Sequence, residues 1–126
     1  MSRIVIFDDD KEILDLCSLI LSMEGYDVMT RMNCDNVFDD LKNAKADVIL
    51  MDNWMPGMHG SEAIRLIKKN PEYQNIPVIL FSANSQTASI SQEVGADYYL
   101  QKPFDLKSFT DMVALAAARK KVTALG

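Results

Sequence analysis

The chain has 126 residues, 48% of them hydrophobic and 25% charged, which is enough for one domain with a real core and too few for two. Thirteen Lys and Arg against eighteen Asp and Glu give a formal net charge of −5, which argues against nucleic acid or an anionic membrane as the main partner. Apolar runs such as Val48–Met51 are far too short to span a bilayer, and Ile4–Phe7 is too short for the core of a signal peptide.

In chain order, Ile4-Val5-Ile6-Phe7 is a compact, β-branched run that reads as a first strand, closed by Asp8-Asp9-Asp10. Asp10 is placed to cap a helix over Lys11–Glu24, where Ile13, Leu14, Cys17, Ile20 and Leu21 fall at helical spacing and Gly25 is a natural stop. Tyr26–Thr30 is a weaker strand. Val37, Phe38 and Leu41 mark a second helix, with Asn33 or Asp35 available as its cap. Val48–Met51 is a third strand running into Asp52. Ser61–Lys69 carries Ala63, Ile64 and Ile67 on one helical stripe that Pro71 ends. Val78–Phe81 is a fourth strand followed by Ser82. The segment Asn84–Val94 is rich in Ser, Asn, Gln and Thr, so it reads as a helix of low intrinsic stability anchored by Ile90 and Val94. Tyr98–Leu100 is a fifth strand, and Lys102-Pro103 follows it. Asp105 can cap a last helix that buries Phe109, Met112, Val113 and Leu115–Ala118, with Arg119-Lys120-Lys121 where a helix C-terminus favours cations.

Strands one, three and four are apolar on both faces, as central parallel strands covered by helices must be. Five such strands alternating with five helices make a doubly wound α/β sheet in a single domain over residues 1–126. Cys17 and Cys34 are isolated and lack CxxC spacing, so free thiols in a reducing, cytoplasmic setting are expected.

Ligands of such sheets bind beyond the carboxyl ends of the strands. That edge collects Asp8, Asp9 and Asp10 from the first strand, Asp52 from the third, Ser82 from the fourth and Lys102 from the fifth. Crowded carboxylates repel unless they are protonated or bridged by a cation. Hard oxygen donors with room for water suit Mg²⁺. A lysine offsets the remaining charge and binds phosphate, and a hydroxyl completes a phosphate cradle. The physical reading is a Mg²⁺-dependent phosphoryl site with an aspartate as nucleophile. Asp10 remains a helix cap, His59 a lone turn histidine, and Met51, Met55 and Met58 gap fillers.

Four segments in order, FDDDKEIL, DVILMDNWMPGMHG, PVILFSAN and GADYYLQKPF, resemble the motifs of the receiver domain of bacterial response regulators over essentially the whole chain. The resemblance implies a flavodoxin-like (βα)5 fold with strand order 2-1-3-4-5. It implies Asp52 as phosphoacceptor and Asp8, Asp9, Asp52 and the Trp54 carbonyl as the Mg²⁺ site. Ser82 would hydrogen-bond the phosphoryl group, Lys102 would pair with Asp52 or a phosphoryl oxygen, and Tyr99 would be the switch aromatic. Lys102–Pro103 would be a cis peptide. Implied partners are a sensor histidine kinase or histidine phosphotransfer protein and a downstream protein reached through the face of helix four, strand five and helix five. A weak phosphorylation-dependent dimer is compatible with this, and neither nucleic acid nor membrane is a partner of this domain. The chain departs from the family pattern at His59, where Asp is frequent, and at Asn53, where an apolar residue is frequent. Trp54 and Asn84 occupy the two variable positions flanking the phosphoryl group.

Two other readings compete. A phosphohydrolase of the haloacid dehalogenase type puts its nucleophile at the end of strand one and a second aspartate two residues on, a pattern that Asp8-Asp9-Asp10 mimics without a cap domain. A flavodoxin needs a hydroxyl- or glycine-rich phosphate loop where this chain has three repelling aspartates. Nothing after Leu115 resembles an output domain, so a stand-alone or excised receiver is expected.

Overall fold

The computed structural model describes residues 2–125, and the side chains of residues 2–119. Strand and helix alternate throughout: β1 (Arg3–Phe7), α1 (Lys11–Met23), β2 (Asp27–Arg31), α2 (Val37–Ala44), β3 (Val48–Asp52), α3 (Gly60–Lys69), β4 (Val78–Ser82), α4 (Thr87–Val94), β5 (Tyr98–Gln101) and α5 (Leu106–Leu125). The five strands form one parallel sheet in the order β2-β1-β3-β4-β5, as the doubly wound flavodoxin-like topology requires.

The reason lies in the strand sequences. Every residue of β3 and β4 is buried, whereas β2 and β5 are only partly covered and form the two edges. Alternate residues point to opposite faces, so each central strand feeds two cores. Val5, Phe7, Ile49, Met51, Val78 and Leu80 meet Leu41, Ile64, Ile67 and Val94 from α2, α3 and α4. On the other face Ile4, Ile6, Val48, Leu50, Ile79 and Phe81 meet Leu14, Cys17 and Leu21 of α1 and Phe109, Val113 and Ala116 of α5. Register then fixes the site. Phe7 pairs with Met51, Asp52 with Phe81 and Ser82 with Gln101, so the polar residues at the strand ends emerge at one edge.

Two helix caps fall where expected and other helix ends do not. Asp10 caps α1, its Oδ1 accepting from the amides of Glu12 and Ile13, and Asp105 accepts from Ser108 N at 2.6 Å. Neither Asn33 nor Asp35 caps α2, whose N-cap is Asn36. Asn33 closes a turn onto Asp35 N, and Asp35 accepts from Met58 N. The polar fourth helix begins at Thr87 rather than Asn84 and buries Thr87 and Ser91 beside Val94, while Ile90 is only half-buried. Arg119 does not serve a helix terminus, because α5 continues to Leu125 and the guanidinium pairs with Asp97 at 2.8 Å. The side chains of Lys120 and Lys121 lie outside the described residues. Cys17 and Cys34 are buried and unpaired, burial pushing both thiols up to about 11. Among the described residues no helix is long and apolar enough to cross a membrane.

Candidate functional site

At the carboxyl edge of the sheet, β1, β3, β4 and β5 deliver their terminal side chains into a cleft of about 390 Å³. Asp8, Asp9, Asp10, Asp52, Asn53, Trp54, Ser82, Ala83, Asn84 and Lys102 line it. The backbone explains why they converge. Asp8 N donates to the Arg31 carbonyl at 3.1 Å and Lys102 N to the Ser82 carbonyl at 2.8 Å, so inter-strand bonding continues one residue beyond β1 and β5.

Asp8 is fully buried and both its oxygens are engaged. Oδ1 accepts from Asp10 N at 2.9 Å, and Oδ2 accepts from Lys102 Nζ at 2.8 Å. Asp52 is nearly as buried and takes a second, longer bond from Lys102 Nζ at 3.3 Å. Asp9 is exposed, and one oxygen each from Asp8, Asp9 and Asp52 lie within 4.8 Å of one another. Two carboxylates thus share one ammonium, with a third beside them. Burial first, and then the charge of Asp8, push the Asp52 carboxyl up to about 6 against the pull of Lys102. For Lys102, burial works downward, but the hydrogen bond with Asp8 and the neighbouring carboxylates hold the ammonium above its ordinary value. Lys102 Nζ also lies 5.1 Å from the centroid of the Phe81 ring, which screens it on one side.

Such an acid-rich, oxygen-only donor set fits a hard divalent cation that keeps part of its water, because the cation removes the repulsion that raises Asp52. The dehalogenase-type alternative fits less well: Asp8, its nucleophile, has no idle oxygen, and Asp10 is committed to capping α1.

The remaining sequence candidates divide. Ser82 ends β4, is buried, and its Oγ accepts from Asn84 N at 3.0 Å. Trp54 stands at the cleft mouth, 69% exposed, with its ring centroid 4.4 Å from that of His59. Tyr99 lies on β5 opposite Leu80, 46% exposed, and does not line the cleft. The Lys102–Pro103 peptide is cis.

One contributor escapes sequence reasoning. Gly60 opens α3, its N–H bonds the Asn53 carbonyl at 3.0 Å, and a Cβ there would overlap the Asp52 carbonyl oxygen. The loop between β3 and α3 is moored elsewhere too, by Met55 in the core, by Met58 N donating to Asp35 and by Cys34 Sγ donating to the Met58 carbonyl. The glycine was visible in sequence, but not the carbonyl pressed against it.

Comparison with known proteins places this geometry. The model of the family described as "Response regulator receiver domain" matches residues 4–114. Among curated proteins, the CAI-1 autoinducer sensor kinase/phosphatase CqsS of Vibrio cholerae is 31% identical over 115 residues, 89% of this chain and 17% of that protein. The chain therefore spans about a sixth of the length of this relative. Among solved structures, a CheY-like response regulator receiver domain protein from Methanospirillum hungatei is 25% identical, covers 98% of both chains and superposes with a TM-score of 0.86. The signal receiver domain of a DNA-binding response regulator from Colwellia psychrerythraea is 26% identical, covering 91% of this chain and 97% of that one, with a TM-score of 0.82.

Proposed function

The chain belongs to the response regulator receiver domain family, the phosphoacceptor switches of two-component signalling, and we propose on that premise that Asp52 is its phosphoacceptor. The observation that carries the assignment is a buried Asp52 carboxylate facing Lys102 Nζ at 3.3 Å inside an acidic cleft open to solvent. An Asp52 oxygen attacks the phosphorus of a partner's phosphohistidine. The P–O bond forms as the P–N bond breaks, the electron pair returns to the imidazole nitrogen, and that nitrogen takes up a proton. Lys102 offsets charge on the transferring oxygens as a point cation. The Ser82 Oγ accepts from Asn84 N, which leaves its own hydrogen for donation to a phosphoryl oxygen.

Asp8, Asp9 and Asp52, with the Trp54 carbonyl, are the groups that would hold Mg²⁺, which supplies charge neutralisation of the phosphoryl oxygens when bound. Asp8, with both oxygens already accepting hydrogen bonds, would serve the ion mainly through water. We assign the whole chain, residues 1–126, to one receiver domain acting as a switch rather than as a metabolic enzyme. The donor is a sensor histidine kinase or histidine phosphotransfer protein, a reading supported by the likeness to the CqsS sensor kinase/phosphatase. The signal leaves through α4, β5 and α5, where the half-exposed Tyr99 can turn inward when Ser82 moves. Two buried, protonated thiols accord with a cytoplasmic setting.

The test is intact-mass analysis after incubation with Mg²⁺ and phosphoramidate. The wild-type chain should gain one base-labile acyl phosphate and Asp52→Asn none, since an amide is a poor nucleophile. Equal labelling of Asp52→Asn would remove Asp52 from its role.

A further inference from the structure

Thr87 is fully buried at the start of α4, a helix whose N-cap, Gln86, makes no side-chain capping bond. Its Oγ1 donates to the Asn84 carbonyl and lies 3.4 Å from the Ser82 carbonyl, while its own N–H donates to Asn84 at 3.2 Å. One hydroxyl therefore touches both ends of the three-residue turn that carries Ser82. Other ties in that turn are the Asn84 N–H on Ser82 Oγ, the Lys102 N–H on the Ser82 carbonyl and the Gln86 N–H on Asn84 Oδ1 at 2.7 Å. Ala83 and Asn84 themselves are exposed, so Thr87 is the buried side chain that anchors the turn from below.

We propose that Thr87 is a positioning residue for phosphoryl transfer: its buried hydroxyl sets the Ser82–Asn84 turn, and through it the reach of the Ser82 hydroxyl toward Asp52. This rests on the roles of Asp52 and Ser82 given above. A valine at 87 has nearly the same shape but no donor. Asn84 keeps its backbone partner in that variant, so the change removes orientation more than it leaves a buried group unsatisfied. Misplacement of a transition-state contact by a fraction of an ångström costs rate rather than donor affinity.

The experiment follows phosphorylation of the full chain by phosphoramidate in Mg²⁺, where the donor P–N bond breaks, its nitrogen leaves as ammonia after protonation, and Asp52 receives the phosphoryl group. Thr87→Val should lower the maximal rate about tenfold, with the half-saturating donor concentration unchanged. Thr87→Ser should restore most of it. In a Ser82→Ala background, Thr87→Val should have no further effect, because the hydroxyl it positions is gone. An unchanged rate in Thr87→Val, or an equal tenfold loss in the Ser82→Ala background, would overturn the proposal. If Thr87→Val does not fold, Thr87→Ala read against Thr87→Ser decides by the same two comparisons. Labelling of Asp52→Asn run alongside separates the two failures, since it strikes the phosphoacceptor reading and leaves the Thr87 comparison to be judged independently.

Discussion

Strands β4 and β5 carry a lysine–aspartate cluster at each end, and the two clusters are built to opposite charge ratios. At the amino end, Lys68 Nζ donates to the carbonyls of Gln74 at 3.1 Å and Ile76 at 2.9 Å and to Asp97 at 2.6 Å, which uses all three of its hydrogens. Asp97 also accepts from Val78 N at 2.8 Å and from Arg119 at 2.8 Å. One carboxylate there meets two cations and an amide. At the carboxyl end, one ammonium, Lys102, serves Asp8 and Asp52 with Asp9 close by. The same residue types thus make a closed staple between α3, β4, β5 and α5 at one end, and an acid-rich cleft with a single cation at the other. What separates structure from function in this molecule is the ratio of carboxylates to cations.

Removing one partner from the staple gives the largest expected change in stability. Asp97→Ala removes the anion that Lys68 and Arg119 share, and urea unfolding should show a loss of about 3 kcal/mol. A loss below about 1 kcal/mol, the size of an exposed pair, would erase the contrast.

The opposite sign is expected at the other end. In metal-free buffer the folded chain holds the Asp52 proton up to about 6 against an ordinary 3.8, so the ionised group opposes folding by on the order of 3 kcal/mol above that pH. Between those values the folded state binds more protons than the unfolded one, so this contribution to stability is lost as pH rises through the folded pKa. Asp52→Asn should therefore be more stable than wild type by about 1–3 kcal/mol at pH 7, with the advantage shrinking toward pH 4. Equal stability at pH 7, measured by the same urea titration, would mean the cleft is not electrostatically strained.

Mg²⁺ supplies the smallest and most selective probe. At ten times its dissociation constant it should stabilise the fold by about 1.4 kcal/mol, seen as a rise in Tm. Asp9→Ala should lose most of this rise, whereas Asp97→Ala, though less stable, should keep it in full. A rise that survives in Asp9→Ala would detach the cation from the carboxylate cleft.

Much of this was legible in the sequence, for a reason that applies unevenly. Val48–Met51 and Val78–Phe81 announce central strands because burial on both faces forbids polar residues, and the residues closing such runs then mark the sheet edge where ligands bind. The belonging of Asp8, Asp9, Asp52, Ser82 and Lys102 to one cleft follows from that rule alone. The staple does not. Lys68 lies on a helix face, Asp97 precedes an edge strand and Arg119 looks like a helix-end cation, so nothing local signals that they meet. In α4 the gap is chemical: nothing in a segment rich in Ser, Asn, Gln and Thr marks Thr87 for burial, which it reaches because nearby carbonyls accept its hydrogen. Asp35 likewise reads as a helix cap, but accepts instead from Met58, 23 residues away.

The bare backbone of Gly60 against the Asp52 carbonyl has a mechanical consequence. With the Gly60 N–H also tied to the Asn53 carbonyl, the first turn of α3 is fastened directly to the end of β3. Any side chain added at residue 60 would therefore displace the backbone that carries the Asp52 carboxylate, so this glycine fixes where the cleft's carboxylate stands.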